Sequence, residues 1–166
     1  MTRRALAGAA LVVAGAVAGL ALHIATTTGD TVFSWKRPHY LGVKDGKLAR
    51  CRSTPNCVSS QADPADAEHF IAPIPFKGAP TGAMAAVRKA VEGMERATVI
   101  RHEANYLYGE FRSRLMRYVD DVEFTFVEKA GLIHVRSASR LGRRDFGVNR
   151  ERVEALRSRI EGRTRV

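Results

Sequence analysis

Between residues 98 and 138 the chain alternates apolar and polar side chains in four successive segments, 98–102, 106–115, 122–128 and 132–138. A period of two, combined with many aromatic and β-branched residues, is typical of strands with one buried face. The tripeptide Lys129-Ala130-Gly131 between the last two segments predicts a tight turn and therefore a hairpin. We expect a mainly antiparallel sheet of about four strands.

One amphipathic helix is predicted before these strands and another after them. The first follows Pro80, ends near Gly93 and has apolar residues at helical spacing: Met84, Val87, Val91 and Met94. The second runs from Arg150 to about Glu161, with Asn149 as its N-cap, a hydrophobic staple between Val148 and Val153, and Gly162 as its terminator. Its buried stripe comprises Val153, Leu156 and Ile160. The sequence thus predicts a single α+β domain over residues 48–162.

The alternation also divides the sheet residues between two faces. The apolar face, expected beneath the helices, carries Leu107, Phe111, Leu115, Val122, Phe124, Phe126, Ile133 and Val135. The opposite face carries Tyr106, Tyr108, Glu110, Arg112, Arg114, Glu123, Thr125, His134 and Arg136. Its arginines could bind an anionic ligand through bidentate guanidinium contacts. The alternative, which we favour on energetic grounds, is a solvated face of cross-strand ion pairs worth about 0.2–1 kcal/mol each.

An uninterrupted apolar stretch runs from Ala5 to Leu22, directly after Arg3 and Arg4. Its length and its basic start predict a signal anchor or a signal peptide over residues 1–25, and a transmembrane contact through residues 5–25. We favour the uncleaved anchor, because the cleavage site near Gly19-Leu20-Ala21 is weak; secretion after cleavage is the alternative. With the arginines in the cytoplasm, the remaining chain lies in the periplasm or its equivalent.

Residues 26–47 show little periodicity and are predicted to be a linker. Phe33, Trp35 and Tyr40 lie beside Lys36 and Arg37, a combination that favours the headgroup layer of a membrane. Packing of these aromatic rings onto the domain is an equally open interpretation.

The chain has two cysteines, Cys51 and Cys57, separated by a short segment that contains the turn signal Pro55-Asn56. In a chain placed outside the cytosol, this spacing predicts a small disulfide loop. The alternatives are free thiols or metal or redox chemistry, but no second pair of metal ligands accompanies the cysteines. Asp120, Asp121 and Glu123 cannot converge on one cation either, because adjacent residues of a strand point to opposite faces. We therefore predict no metal site and no cofactor.

The formal net charge is +10, from 27 Lys and Arg against 17 Asp and Glu. An excess of cations can reflect an anionic partner such as nucleic acid or a phospholipid surface. No RNA-binding motif or zinc-finger spacing is present, so a nucleic-acid partner is not expected.

Four ordered motifs identify a known family. They are Cys51-Arg-Ser-Thr-Pro-Asn-Cys-Val-Ser-Ser-Gln61, Tyr106-Leu-Tyr-Gly-Glu-Phe-Arg-Ser113, Tyr118-Val-Asp-Asp-Val-Glu-Phe124, and Val135-Arg-Ser-Ala-Ser-Arg-Leu-Gly142 followed by Asp145-Phe-Gly-Val-Asn-Arg150. Over about residues 48–157 the chain resembles the bacterial and plastid family called domain of unknown function 1499. Tyr108 and Gly109 stand where many members have His and Ala. The resemblance implies a membrane-proximal setting and supplies no activity.

No catalytic motif of the common hydrolases, metalloproteases or nucleotide-binding enzymes occurs. We therefore favour a membrane-tethered extracytoplasmic binding or scaffold module that meets an anionic envelope ligand or a protein partner. The candidate ligand-binding residues are Glu110, Arg112, Glu123, Arg136, Ser139, Arg140 and Asn149. The alternative is an envelope enzyme that acts on a lipid or saccharide through a carboxylate of Glu110 or Glu123 and the arginines of the sheet face.

Overall fold

The computed structural model describes residues 36–162. The predicted membrane segment, residues 1–25, and the first part of the predicted linker, residues 26–35, lie outside the described residues, as does the end of the chain. Within the described part, no helix is both long and apolar enough to cross a membrane.

The described chain forms two α-helices and six strands. In chain order these are β1 (Cys57–Ser59), β2 (Ile74–Pro75), α1 (Pro80–Glu92), β3 (Ala97–His102), β4 (Tyr106–Arg112), β5 (Val119–Val127), β6 (Leu132–Ser139) and α2 (Val148–Ile160). A 3-10 turn, Glu128–Ala130, and Gly131 with φ 62 connect β5 to β6, so the predicted hairpin is confirmed.

The strands form one sheet in the order β1-β6-β5-β4-β3, and β2 pairs with β6 beside β1. Every pairing between named strands is antiparallel. The fold class is therefore α+β with an antiparallel sheet and two helices, as predicted, but the sheet has six strands rather than about four. The two additional strands, β1 and β2, have only three and two residues, too few for a periodic signal.

Both helices pack on one face of the sheet and enclose the main core. Helix α1 contributes the buried Met84, Val87 and Val91, and α2 contributes Val153 and Leu156. The sheet contributes Leu107, Phe111, Val122, Phe124, Phe126, Ile133 and Val135, the apolar face expected from the alternation. Leu115 is the exception: β4 ends at Arg112, and the Leu115 side chain in the following loop is 88% exposed.

Helix α2 begins differently from the prediction. Gly147, with φ 86, is the N-cap, and Asn149 lies inside the helix. The carboxylate of Asp145 instead accepts hydrogen bonds from the backbone N–H groups of Gly147 and Asn149, at 3.2 and 2.9 Å. The staple is also absent, because Val148 is exposed. Asp145 therefore supplies the acceptor that the prediction assigned to Asn149.

The second face of the sheet is covered by an amino-terminal strap, which we define as residues 36–48. Leu48 packs with the buried rings of Tyr106 and Tyr108, and Leu41 packs against this group. The strap contains all of the described part of the predicted linker, and in the structure this part lies on the sheet. The face expected to be solvated is consequently buried, and its charges must be satisfied by one another.

Candidate functional site

The buried polar face collects side chains from three neighbouring strands. Alternation places Tyr106, Tyr108 and Glu110 of β4 on this face, next to Asp121 and Glu123 of β5. Arg136 of β6 lies directly opposite Glu123, and Arg140 follows β6. In a buried setting each of these charges needs a partner of opposite sign and several hydrogen bonds. The structure supplies them in two clusters.

The first cluster is centred on Arg140. Its Nε donates to both oxygens of Asp121 at 3.1 and 2.9 Å, and its Nη2 donates to Glu110 Oε1 at 2.6 Å. The Tyr108 hydroxyl donates to Asp121 Oδ1 at 2.6 Å and accepts from Arg140 Nη2 at 2.9 Å. The guanidinium therefore bridges two buried carboxylates through short, charge-assisted hydrogen bonds.

Arg37 of the strap completes this cluster. Its Nε and Nη2 donate to Glu110 Oε1 at 3.0 and 2.7 Å, and its guanidinium lies 5.4 Å from the centroid of the Tyr108 ring. Burial alone would raise the pKa of Glu110, but the hydrogen bonds from Arg37 and Arg140 lower this pKa to about 2. Glu110 is therefore ionised at neutral pH and saturated with donors.

The second cluster surrounds Glu123, which is fully buried. Its Oε1 accepts from the backbone N–H of Gly42 at 2.7 Å and from the Tyr106 hydroxyl at 2.9 Å. Its Oε2 accepts from Arg136 Nη1 at 3.3 Å. Burial raises the pKa of Glu123, and these three donors oppose the increase.

Arg136 is held less well than Arg140. It is 2% exposed, yet its hydrogen bond to Glu123 is long and its Nε has no hydrogen-bond partner among the described residues. Its guanidinium also lies 5.5 Å from the centroid of the Tyr40 ring in the strap. A buried guanidinium with an unused Nε donor is costly, because this N–H has lost its water without gaining a hydrogen-bond partner among the described residues.

A cavity of about 350 Å³ lies beside Arg136 and Arg140. The strap, the disulfide loop and the end of β6 enclose it, and its lining includes Lys36, His39, Tyr40, Arg52, Asn56, Arg136, Ser139 and Arg140. None of the lining residues within the described part of the chain is acidic. Arg136 and Arg140 are paired with the carboxylates behind them, whereas Lys36 and Arg52 have no ion pair among the described residues. The lining thus carries an excess of positive charge.

The disulfide loop forms one wall of this cavity. Cys51 and Cys57 are bonded, as predicted, with an S–S distance of 2.06 Å. Cys57 belongs to β1 and pairs with Ala138 of β6, which attaches the loop to the sheet. The Asn56 side chain donates to the carbonyl oxygen of Gly142 at 2.7 Å. Arg52 is carried on this loop, and its guanidinium lies 6.0 Å from the Tyr40 ring centroid.

Two of the predicted ligand-binding side chains lie on the helix side of the sheet. Asn149 is fully buried, donates to Ser139 Oγ at 3.0 Å and to the Asn56 carbonyl oxygen at 3.1 Å, and accepts from Ser137 Oγ at 2.5 Å. Ser139 nevertheless contributes to the cavity lining. Asn149 does not, and its hydrogen bonds join α2 to β6 and to the disulfide loop.

The other predicted residues are distributed around the two clusters. Arg136 and Arg140 line the cavity, and Glu110 and Glu123 lie behind it. Arg112 does not contribute to the described lining, and its Nη2 lies 3.5 Å from Glu110 Oε2. The sequence prediction missed Arg37 and Tyr40 as members of the site. The only available signal was the group of aromatic and basic residues in the predicted linker, for which packing onto the domain was one of two interpretations.

The geometry argues against acid–base chemistry by Glu110 or Glu123. Glu110 is held ionised, and Glu123, whose pKa is raised, is sealed beneath Gly42 and Tyr106 without contributing to the cavity lining. Among residues 36–162, no group of His, Cys, Asp or Glu side chains could hold a metal ion. The described lining of the cavity offers hydrogen-bond donors and positive charge, together with the imidazole of His39.

Residues 47–160 match the family described as protein of unknown function (DUF1499). The chain belongs to the DUF1499 family. No curated protein and no solved structure matches it. The region matched to DUF1499 contains the disulfide loop, Arg136 and Arg140, whereas Arg37 and Tyr40 of the strap precede it. In this DUF1499 domain the cavity is thus built partly by residues outside the matched region.

Proposed function

We propose that the protein is a binding module of the cell envelope that holds a small anion, with a phosphate, sulfate or carboxylate group, in the cavity beside Arg136. The observation that carries this proposal is Arg136 itself, a buried guanidinium with an unpaired Nε, on the wall of a cavity that has no acidic residue among its described lining residues. An anion would supply the acceptor that the described residues lack.

The mouth of the cavity supports the same proposal. Lys36 and Arg52 are exposed, come from different segments and border one cavity. Because neither forms an ion pair among the described residues, their charges are available to a ligand. The guanidinium of Arg52 can contact phosphate or carboxylate in bidentate fashion, while the Lys36 ammonium adds a compact point charge.

Binding fits the structure better than catalysis. An enzyme that uses Glu110 or Glu123 would need one of these carboxylates at the ligand. Both instead face arginine or tyrosine partners, and neither lines the cavity. The carboxylates serve to hold Arg140 and Arg136 in place behind the cavity wall.

Two features support the envelope location and the membrane tether. The disulfide is of the kind that persists in oxidising compartments. The apolar stretch after Arg3 and Arg4 has the composition of an anchor or an export signal. Together they favour a tethered domain that meets its ligand outside the cytoplasm.

Isothermal titration calorimetry of the full chain in detergent, with inorganic phosphate, sulfate and citrate as probes, tests the proposal. We expect Arg52→Gln to weaken binding of the preferred anion about threefold to tenfold, the scale of one exposed charged hydrogen bond. The matched control is Arg88→Gln, which removes the same charge from the helix-covered side of the molecule. Equal affinities of the two variants, or no binding of any probe, would contradict the proposal.

Arg136 requires a compensated variant, because Arg136→Gln alone would leave the buried Glu123 without its cation. The double variant Glu123→Gln/Arg136→Gln removes both charges and keeps groups that can hydrogen-bond with each other. We expect it to remain folded, as judged by circular dichroism, and to bind no anion. Wild-type affinity in the folded double variant would show that Arg136 is not part of the site.

A further inference from the structure

Two loops project from the same end of the sheet, remote from the β5–β6 turn. The register Arg112↔Val119 places the β4–β5 loop, residues 113–118, at this end. The register Asp120↔Ser139 places the start of the loop between β6 and α2, residues 140–147, beside it. We call these two loops together the loop end.

The loop end exposes large apolar side chains. Leu115 is 88% exposed and Phe146 is 92% exposed, and Met116 is exposed as well. Val148, which follows the second loop as the first residue of α2, is also exposed. Isolated exposed apolar residues are ordinary in folded proteins. Several of them on adjoining loops, however, indicate a surface that contacts a membrane or another protein.

The same loops are strongly basic. Arg114, Arg117, Arg143 and Arg144 are all exposed, and none of them forms an ion pair among the described residues. The only acidic residue in the two loops is Asp145, whose carboxylate accepts the N–H groups of Gly147 and Asn149. The loop end thus combines exposed apolar tips with arginines whose charge is not compensated by its own residues.

The projection of Phe146 is fixed by its backbone. Phe146 has φ 55, in the left-handed region that a bulky residue adopts only at a cost, and it lies between Asp145 and the left-handed Gly147. The hydrogen bonds of Asp145 to the first turn of α2 secure this conformation. The ring is consequently held outward and does not pack onto the domain.

We propose that the loop end docks on an anionic phospholipid surface. Leu115 and Phe146 enter the boundary between headgroups and acyl chains, and the four arginines contact lipid phosphates. Charge complementarity favours a lipid surface, because the patch presents apolar tips surrounded by cations rather than a groove for a folded partner. Lys36, where the described chain begins, borders the same cavity as Gly142 of this end. The chain therefore enters the domain near the surface that would face the membrane.

This proposal does not depend on the anion cavity and is tested separately. The variant Leu115→Cys is labelled with an environment-sensitive fluorophore in the full-length protein, whose two native cysteines are bonded and do not react. A second labelled variant, Lys129→Cys, reports on the turn at the opposite end of the sheet. Both proteins are reconstituted into vesicles of phosphatidylcholine, with and without phosphatidylglycerol.

We expect the label at 115 to shift to shorter wavelengths and gain intensity only in the phosphatidylglycerol vesicles, and the label at 129 to respond in neither. The pair Arg114→Gln/Arg117→Gln lowers the ratio of docked to undocked domain about 25-fold, at roughly fivefold per arginine near an anionic surface. The charge-matched pair Lys77→Gln/Lys129→Gln, which lies beside the β5–β6 turn at the opposite end of the sheet, leaves this ratio unchanged. Equal responses at 115 and 129, the same response in both vesicle types, or equal effects of the two charge-removing pairs would overturn the proposal.

Discussion

Glu110 links the strap to the sheet through ion pairs. Arg37 of the strap and Arg140, which follows β6, both donate to the same oxygen of its carboxylate. Since its pKa in the folded protein, about 2, is below the value of 4.5 for an unperturbed glutamate, the folded state stabilises the ionised form. That stabilisation is complete above pH 4.5 and is lost as the pH falls towards 2.

Glu110→Gln should therefore lower the free energy of unfolding at neutral pH by about 3 kcal/mol, at 1.4 kcal/mol per pKa unit. The difference from the wild type should shrink as the pH falls from 4.5 towards 2, because the wild type then loses the same charge. Urea unfolding at a series of pH values measures this. Glu95→Gln, at an exposed ion pair, is the control and should change stability little. Parallel stability curves for wild type and Glu110→Gln would contradict the assignment.

The contacts of individual residues differ in how far the sequence could predict them. Glu123 and Arg136 fall on the same face and directly opposite each other, so alternation and the hairpin turn sufficed to bring them together. Arg37 and Glu110 are 73 positions apart, and no periodicity connects a strap to the strand beneath it. The sequence therefore indicated the charges of the site but not the segment that buries them.

Strand β4 contains a glycine, Gly109, that can be replaced by alanine without a clash. Gly109 lies on the helix side, where an added Cβ would meet Val91 Cγ1 and the Thr98 carbonyl oxygen at 3.4 Å, within ordinary contact distance. Because glycine weakens a strand interior through its unfolded-state entropy, Gly109→Ala should raise the free energy of unfolding by about 0.5–1 kcal/mol. Thermal and urea unfolding measure the change.

The matched control is Gly131→Ala in the β5–β6 turn. Gly131 has φ 62, and an added Cβ would lie 3.3 Å from the carbonyl oxygen of Phe76. This substitution should destabilise the protein by about 1 kcal/mol or more, because alanine is strained in the left-handed region. If both variants were destabilised equally, the packing between α1 and β4 would be tighter than described.

The disulfide loop is the second element with a measurable contribution. Its ends are six residues apart, and closing so short a loop contributes about 2 kcal/mol in the chain-entropy model. Cys51→Ser/Cys57→Ser should lose about this much stability and should also bind the anion less tightly, since Arg52 is no longer held beside the cavity. Reduced wild-type protein, measured in parallel, should match the variant. Unchanged affinity in the folded variant would mean that the loop does not position Arg52.

Elements with a long periodic pattern could be predicted, and those defined by a few contacts could not. Strands β3 to β6 and both helices were expected from their spacing. Strand β1 exists because the disulfide loop lies against β6, and the start of α2 is set by Asp145 and Gly147 rather than by Asn149. A cap or an edge strand depends on which loop conformation the tertiary structure selects, so local propensity alone does not determine it.

At the scale of the whole molecule, the net charge of +10 is not spread evenly. On the sheet face, Arg37, Arg136 and Arg140 are balanced by Glu110, Asp121 and Glu123, which keeps the buried clusters close to neutral. The arginines that form no ion pair among the described residues are instead concentrated at the loop end, and Arg52 lies with Lys36 at the mouth of the cavity. This separation allows the protein to present positive charge to anionic partners without burying it unpaired.

The apolar start and the disulfide make one joint prediction about the intact chain. If residues 5–25 direct the domain across the membrane, its thiols oxidise only after export. When living bacterial cells that express the full chain are treated with an alkylating agent before lysis, Cys51 and Cys57 should therefore be protected. Deletion of residues 5–25 should leave the same domain in the cytosol with both thiols alkylated and its stability lower by about 2 kcal/mol.

The control is Cys51→Ser/Cys57→Ser on the full chain, which should reach the same cell fraction as the wild type because the disulfide follows export and does not cause it. Alkylated thiols in the full-length protein would contradict both the export and the role of oxidation in forming the cavity wall.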